Sequence, residues 1–158
     1  VEDLPEDLKD KESMAETIEN NIRKTIVDEN PTNPKYFEKM SVLLDELIEQ
    51  RKQEVIDYKK YLEEMARLAE QVKRPQGSNY PKEINTPGKQ AIFDNFSQDT
   101  DWVLSLDHAI QTNKQDGYLT NKMKQKRLKA QLKPLTDEKG LDIDEVFELI
   151  IKQTEYGA

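Results

Sequence analysis

The side chains that do most protein chemistry are thiolates, imidazoles, clustered carboxylates and organised cations, and this chain supplies them unevenly. It has no cysteine, which excludes disulfides, thiolate metal sites and cysteine nucleophiles. Its one histidine, His108, excludes any multi-histidine metal cluster. His108 lies between Leu106 and Ile110 in a run that reads as core, so the expectation is a half-buried imidazole satisfied by a backbone carbonyl, with no partner indicated for catalysis. Carboxylates are abundant, but Glu38, Asp45, Glu46, Glu49, Glu63 and Glu64 fall on the outward sectors of amphipathic segments and read as solvated faces. Neither calcium-loop window has its ligands: the one at Asp137 meets Lys139 and Leu141 where oxygens are needed, and the one at Asp99 meets Val103. A magnesium-dependent nuclease core is approached only by Asp137 and Glu138-Lys139, in a turn. With 5 glycines in the whole chain, neither G-x-x-x-x-G-K nor G-x-G-x-x-G occurs. No catalytic residue, metal ligand, cofactor site or small-molecule ligand is assigned.

The cations are better organised. Lys122, Lys124, Lys126, Arg127, Lys129 and Lys133 fall between Thr120 and Pro134 with no acid among them. At about 100° per residue, Lys122, Lys126, Lys129 and Lys133 share a sector of roughly 60°. That is a stripe. Leu119, Met123 and Ala130 take a second sector and Leu128, Leu132 and Leu135 a third, so the expected helix packs on two sides and presents its lysines. The candidate contact residues are therefore Lys122, Lys126, Lys129, Lys133 and Arg127. They would meet either nucleic-acid phosphate or an acidic protein surface; a solvated face balanced by acids elsewhere is the plain alternative. Tyr118 stands alone beside the run, so interleaved aromatics that would stack bases are missing.

Helices must position these groups. Residues 1–13 hold six acids and Pro5, and read as an acidic arm, frayed or disordered, or as an acidic helix start. Residues 14–73 form an N-terminal helical half. Ile18, Ile22 and Ile26 make a stripe that Asn30-Pro31 stops, and Asn33-Pro34 signals a new helix start. From there Tyr36, Phe37, Met40, Leu43, Leu44, Leu47 and Ile48 follow the helical repeat, and Val55, Tyr58, Tyr61, Leu62, Met65, Leu68, Ala69 and Val72 need a second stripe. A break near Gln53 to Asp57 makes an antiparallel hairpin with Leu43, Leu47, Leu62 and Met65 in its core; one unbroken helix over 34–73 competes, since no Gly or Pro interrupts it.

Residues 74–88 are rich in Pro, Gly, Asn and Ser and read as a loop. Residues 89–158 form a C-terminal helical half: a short helix with Ile92, Phe93 and Phe96, one behind Asp99 with Trp102 to Ile110, a turn at Asp116-Gly117, a basic helix over 120–133 that Pro134 ends, and a last helix capped by Asp142. No segment alternates with period two. The expected fold is all-α, an irregular bundle of about six or seven helices including the long hairpin.

The 158 residues suit one domain. With 32 acids against 24 Lys and Arg the net charge is -8, which argues against a nucleic-acid footprint over the whole surface while leaving a local basic patch open. No membrane span or secretory leader is legible, so a soluble, cytoplasmic protein is expected. The first residue is Val1 rather than Met, and the expectation is a fragment of something larger.

Several strings in order resemble a known family. Asn33-Pro34-Lys35-Tyr36, Met40-Ser41, Leu43-Leu44-Asp45-Glu46-Leu47-Ile48, Tyr58-Lys59-Lys60-Tyr61-Leu62 and Leu68-Ala69 are followed by Asp116-Gly117-Tyr118-Leu119-Thr120-Asn121, Lys126-Arg127, Val146-Phe147-Glu148-Leu149-Ile150 and Gln153-Thr154-Glu155-Tyr156. Together, over Ile22 to Tyr156, they resemble the C-terminal helical region of the R subunit of type I restriction enzymes. The resemblance implies a parent chain that is an ATP-dependent, site-specific deoxyribonuclease, with its nuclease and helicase-like domains, and their ATP and magnesium, upstream of this region. It implies that this region is not itself an enzyme but serves assembly on a methyltransferase core of modification and specificity subunits, with DNA contact secondary. The family pattern has Trp-Arg after Asp-Gly where this chain has Tyr118-Leu119, so a contact made by that arginine is not carried over. Two other readings stand beside it: a DNA guide element built on the lysine stripe, and a generic helical dimerisation module.

Overall fold

The computed structural model describes residues 6–73 and 80–157, and every regular element in them is helical. Seven α-helices follow one another: α1 (Glu6–Glu29), α2 (Pro34–Lys52), α3 (Tyr58–Lys73), α4 (Pro87–Asn95), α5 (Thr100–Asn113), α6 (Lys122–Glu138) and α7 (Ile143–Ile150). Short 3-10 turns lie at Asn30–Thr32, Tyr118–Thr120 and Thr154–Tyr156. The starts are set by side chains that take up backbone N–H groups left without partners in the first turn. Asn33 Oδ1 accepts from Tyr36 N at 3.2 Å, Asp99 from Trp102 N at 3.2 Å, Asn121 from Lys124 N at 3.0 Å and Asp142 from Asp144 N at 3.0 Å.

The helices divide between two compact units, one of Val1–Asn30 with Phe37–Pro75 and the other of Pro31–Tyr36 with Gln76–Ala158. In the first, Ala15, Ile22 and Ile26 of α1, Phe37, Met40 and Leu44 of α2, and Tyr61, Met65, Leu68 and Val72 of α3 are buried at helical spacing. The α2 and α3 helices are separate, with residues 53–57 between them and Glu54 in the left-handed region at φ 57. The long unbroken helix is thereby excluded, but the hairpin core differs from expectation. The α3 stripe packs against α1, so Met65 is buried while Leu47 and Leu62 are half-buried and Leu43 is 41% exposed. Leu43 and Leu47 instead line an open groove of about 330 Å³ with Ile56 and Leu68. The helix starting at Glu6 also takes in residues 6–13, the acidic start rather than an arm; residues 1–5 lie outside the described residues.

In the second unit α5, α6 and α7 pack in succession and α4 lies against α5 and α7. Ile92, Trp102, Val103, Leu106, Ile110, Leu128, Leu132, Val146, Phe147 and Ile150 fill its core, closed by Tyr118 and Tyr156 from the 3-10 turns. The Trp102 indole N–H donates to the Leu135 carbonyl at 2.9 Å. The segment 31–36 is held by Gln153, whose Nε2 donates to the Thr32 carbonyl at 2.7 Å, and by Asn33, whose Nδ2 donates to Asp94 at 2.9 Å. Of the expected loop, residues 74–79 lie outside the described residues, residues 80–86 are non-helical, and Pro87 and Gly88 already belong to α4 behind the cap Thr86.

Pro134 does not end the basic helix. It sits inside α6, which continues to Glu138. A proline lacks its own N–H and its ring crowds the carbonyl four residues back, here that of Ala130, yet it can ride in a helix that packing holds on both sides of it. The stop comes at Gly140, φ 66, where Leu141 N donates to the Thr136 carbonyl at 2.9 Å and Gly140 N to Asp137 at 3.0 Å, the Schellman arrangement that a glycine with positive φ permits.

Candidate functional site

The basic helix begins at Lys122 behind its Asn121 cap and has no acid in its first turn. Lys122 and Lys124 therefore stand at the positive end of the helix dipole, which costs the isolated helix stability, with Lys126 and Arg127 in the turn behind them. Leu128, Leu132 and Thr136 are its buried face.

The five candidate contact residues separate into two groups. Lys129 is half-buried, its Nζ 3.0 Å from Asp144 and 4.9 Å from the Phe147 ring centre, so it ties α6 to α7. Lys133 pairs with Asp137 one turn on, at 3.1 Å. Lys122, Lys126 and Arg127 are exposed, with no ion-pair partner among the described residues. Lys124 turns back onto the Asp116 carbonyl, and Lys114 reaches the Gly157 carbonyl at 3.2 Å.

The expectation that α6 packs on two sides is corrected. Met123 is 62% exposed and Leu119 40%, and Ala130 is exposed too. The second apolar sector has no cover because α5 and α7 both take the Leu128–Leu132 side. His108 also departs from expectation: it is exposed on α5, its Nε2 3.5 Å from Thr112 Oγ1, because Leu106 and Ile110, two residues away on either side, lie about 160° around the helix from it and face the core.

Several polar networks went unread in the sequence. Glu19 of α1 is 6% exposed, clasped by Arg51 Nε at 2.7 Å and by the Tyr61 hydroxyl at 2.7 Å, with Glu12 on Arg51 at 2.8 Å. The hydrogen bonds from Arg51 outweigh its burial and strengthen its hold on the proton, while burial and then Glu19 push the Tyr61 phenol far above its ordinary value. In the other unit Tyr80 donates to Asp94, and Tyr156 donates to Asp107 at 2.6 Å. Burial first and the carboxylate second raise both phenols. Tyr118 donates in turn to the Tyr156 carbonyl at 2.5 Å. Glu155 accepts from Thr86 Oγ1 at 2.8 Å and from Gly88 N at 2.7 Å, placing a carboxylate on the N-terminus of α4. The only legible signal for these was a polar residue on an apolar stripe, as Glu19 stands between Ala15 and Ile22.

These networks satisfy their own members, which makes them parts of the fold. The chemistry left for other molecules is the outer face of α6, a cationic surface with exposed apolar groups and no nucleophile. Among the described residues no group of three His, Asp or Glu is placed to hold a metal ion, and no helix is long and apolar enough to cross a membrane. No family model, curated protein or solved structure matches the chain.

Proposed function

We propose that the chain is the non-catalytic helical assembly region of the R subunit of a type I restriction enzyme, docking that ATP-dependent translocase and endonuclease on its methyltransferase core in the cytoplasm. ATP and magnesium belong to the parent's other domains in this reading. The observation that carries it is where the family-like strings fall. Several fall at joints of the fold: Asn33-Pro34 caps and opens α2, Gly117 turns the chain at φ 75, Tyr118 and Tyr156 are fully buried and hydrogen-bonded to one another, and Gln153 fastens segment 31–36; others, among them Asp45-Glu46, Lys59-Lys60 and Lys126-Arg127, are exposed positions within helices. Strings that fix joints constrain an architecture, which random matches to exposed positions do not. Protein docking is favoured over the DNA-guide reading because Lys129 and Lys133 are already engaged by Asp144 and Asp137, which leaves a short cationic patch on an acidic chain.

The test is sedimentation velocity of the purified chain, alone and mixed with modification and specificity subunits of its own system. Co-sedimentation with the core and a monomer in isolation are expected. A chain that ignores the core, or that binds duplex DNA tightly with steep salt dependence, would overturn the proposal, and a stable dimer of the chain alone would favour the dimerisation module.

A further inference from the structure

The outer face of α6 combines exposed apolar side chains with cations that have no acidic partner among the described residues. Along α6, Met123, Ala130 and Pro134 lie within about 40° of one another at 100° per residue, and all three are exposed. They form an apolar ridge about 16 Å long, at roughly 1.5 Å of rise per residue. Leu119, 40% exposed, extends it backwards. Lys126 flanks Met123 on one side, backed by Lys122, and Arg127 flanks it on the other; none of these cations has an acidic partner among the described residues. Single exposed apolar side chains are ordinary, as Val55 at 68% and Val27 at 63% show; Met123 differs in sharing its helix face with Ala130 and Pro134 between those cations. A face kept only for phosphate has no use for an apolar centre.

Lys122 stands in the first turn, where a cation is least favourable and no acid relieves it, and Lys126 and Arg127 follow in the second turn. A negatively charged partner laid over this end would relieve both the mutual repulsion and the dipole. We infer that the outer face of α6 is a docking edge for an acidic amphipathic helix of the methyltransferase core. Its apolar side chains would sit on Met123, Ala130 and Pro134, and its carboxylates would reach Lys122 and Lys126 on one flank and Arg127 on the other. The ridge length matches about three turns of a partner helix. This rests on the assembly reading above and names the surface and chemistry that reading requires. Lys129 and Lys133 have no part in it, which redraws the sequence stripe: two of its four lysines leave and Met123 enters.

The experiment measures binding of the purified methyltransferase core, and separately of a short DNA duplex, to the chain and two variants across salt concentrations. The variants are Met123→Asp, and Lys126→Gln with Arg127→Gln. All three side chains are exposed, so the variants should keep the parent helix content, with a melting midpoint equal to the parent's or slightly raised by an acid in the first turn of α6 or by the loss of two crowded cations. Expected for the core is a loss of about tenfold or more with Met123→Asp, which sets a charge at the centre of the ridge. A comparable loss and a flatter salt dependence are expected with the double variant, and no tight duplex binding by any form. A core that binds all forms within about twofold would overturn this inference while leaving the assembly reading intact. A core that binds none, the parent chain included, would overturn both. Duplex binding that the cation variant loses and Met123→Asp keeps would assign the face to DNA and overturn the docking edge.

Discussion

Gly88 and Glu155 show how one residue type can be demanded by another. A Cβ at position 88 would stand 2.6 Å from the Glu155 carboxyl carbon and 2.8 Å from one of its oxygens, so the glycine lets a carboxylate reach the first turn of α4. Gly88→Ala should therefore cost about 1 kcal/mol, the loss of the Glu155 hydrogen bonds to Thr86 and Gly88 as the flexible carboxylate swings out, set against alanine's better helix propensity. In a Glu155→Ala background the same change should become neutral, or stabilising by up to about 1 kcal/mol, since alanine is the better helix former. Urea unfolding of the four proteins in a double-mutant cycle reads this directly, and equal effects in both backgrounds would show that Glu155 is not the obstacle. Residues of this kind are poorly legible in sequence. Glu155 and Glu19 are two among 32 acids, and only the arrival of Gly88, Arg51 or Tyr61 from a distant element distinguishes them from solvated neighbours. The candidate cations were legible as a cluster, but not Asp144, which reaches Lys129 from α7.

Helix limits are set by local chemistry, whereas helix faces are set by whatever arrives later. Asn33-Pro34, Asp99 and Asp142 announce their helices because an N-cap needs only its own next turn. The break between α2 and α3 follows from the shift of apolar stripe near Gln53. What stays hidden is which edge of a broad stripe meets a partner. In α2 the sequence offers Leu43 and Leu44 side by side, and packing buries Leu44 completely while leaving Leu43 41% exposed at the groove. Leu44→Ala should accordingly cost about 2–5 kcal/mol and Leu43→Ala about 0.5 kcal/mol, compared by the midpoints of thermal or urea unfolding. Equal losses would mean the groove is closed in solution. Pro134 misled in the opposite direction. The rule that proline stops a helix concerns backbone bonding, and α6 is held past it by buried Leu132 and Thr136 and by the Trp102 bond to Leu135.

Across the molecule, most of the groups held away from their ordinary titration are phenols, beside Arg51 and the paired carboxylates Glu64 and Asp99. Tyr36, Tyr61, Tyr80, Tyr118 and Tyr156 are all held above the ordinary value of 10.0, with burial as the first cause in each. Below pH 10 these side chains are neutral in both folded and unfolded chains, and their contribution does not change. Above it the unfolded chain releases protons that the folded chain keeps, so stability falls as pH rises. Alkaline unfolding should therefore set in above about pH 10, with phenolate absorbance rising cooperatively alongside loss of helical circular dichroism. Absorbance that climbs smoothly at pH 10 while the helices persist would show that these phenols are open to solvent.

The placement of Trp102 decides what an optical experiment on this protein can observe. It is the chain's one tryptophan, 3% exposed in the core of the second unit, with its indole tied to a carbonyl near the end of α6. Indole emission therefore reports the packing of that unit's core, whereas circular dichroism sums over every helix. A stability read from fluorescence belongs to the second unit alone. Only where the two signals trace the same curve does one free energy describe the whole chain.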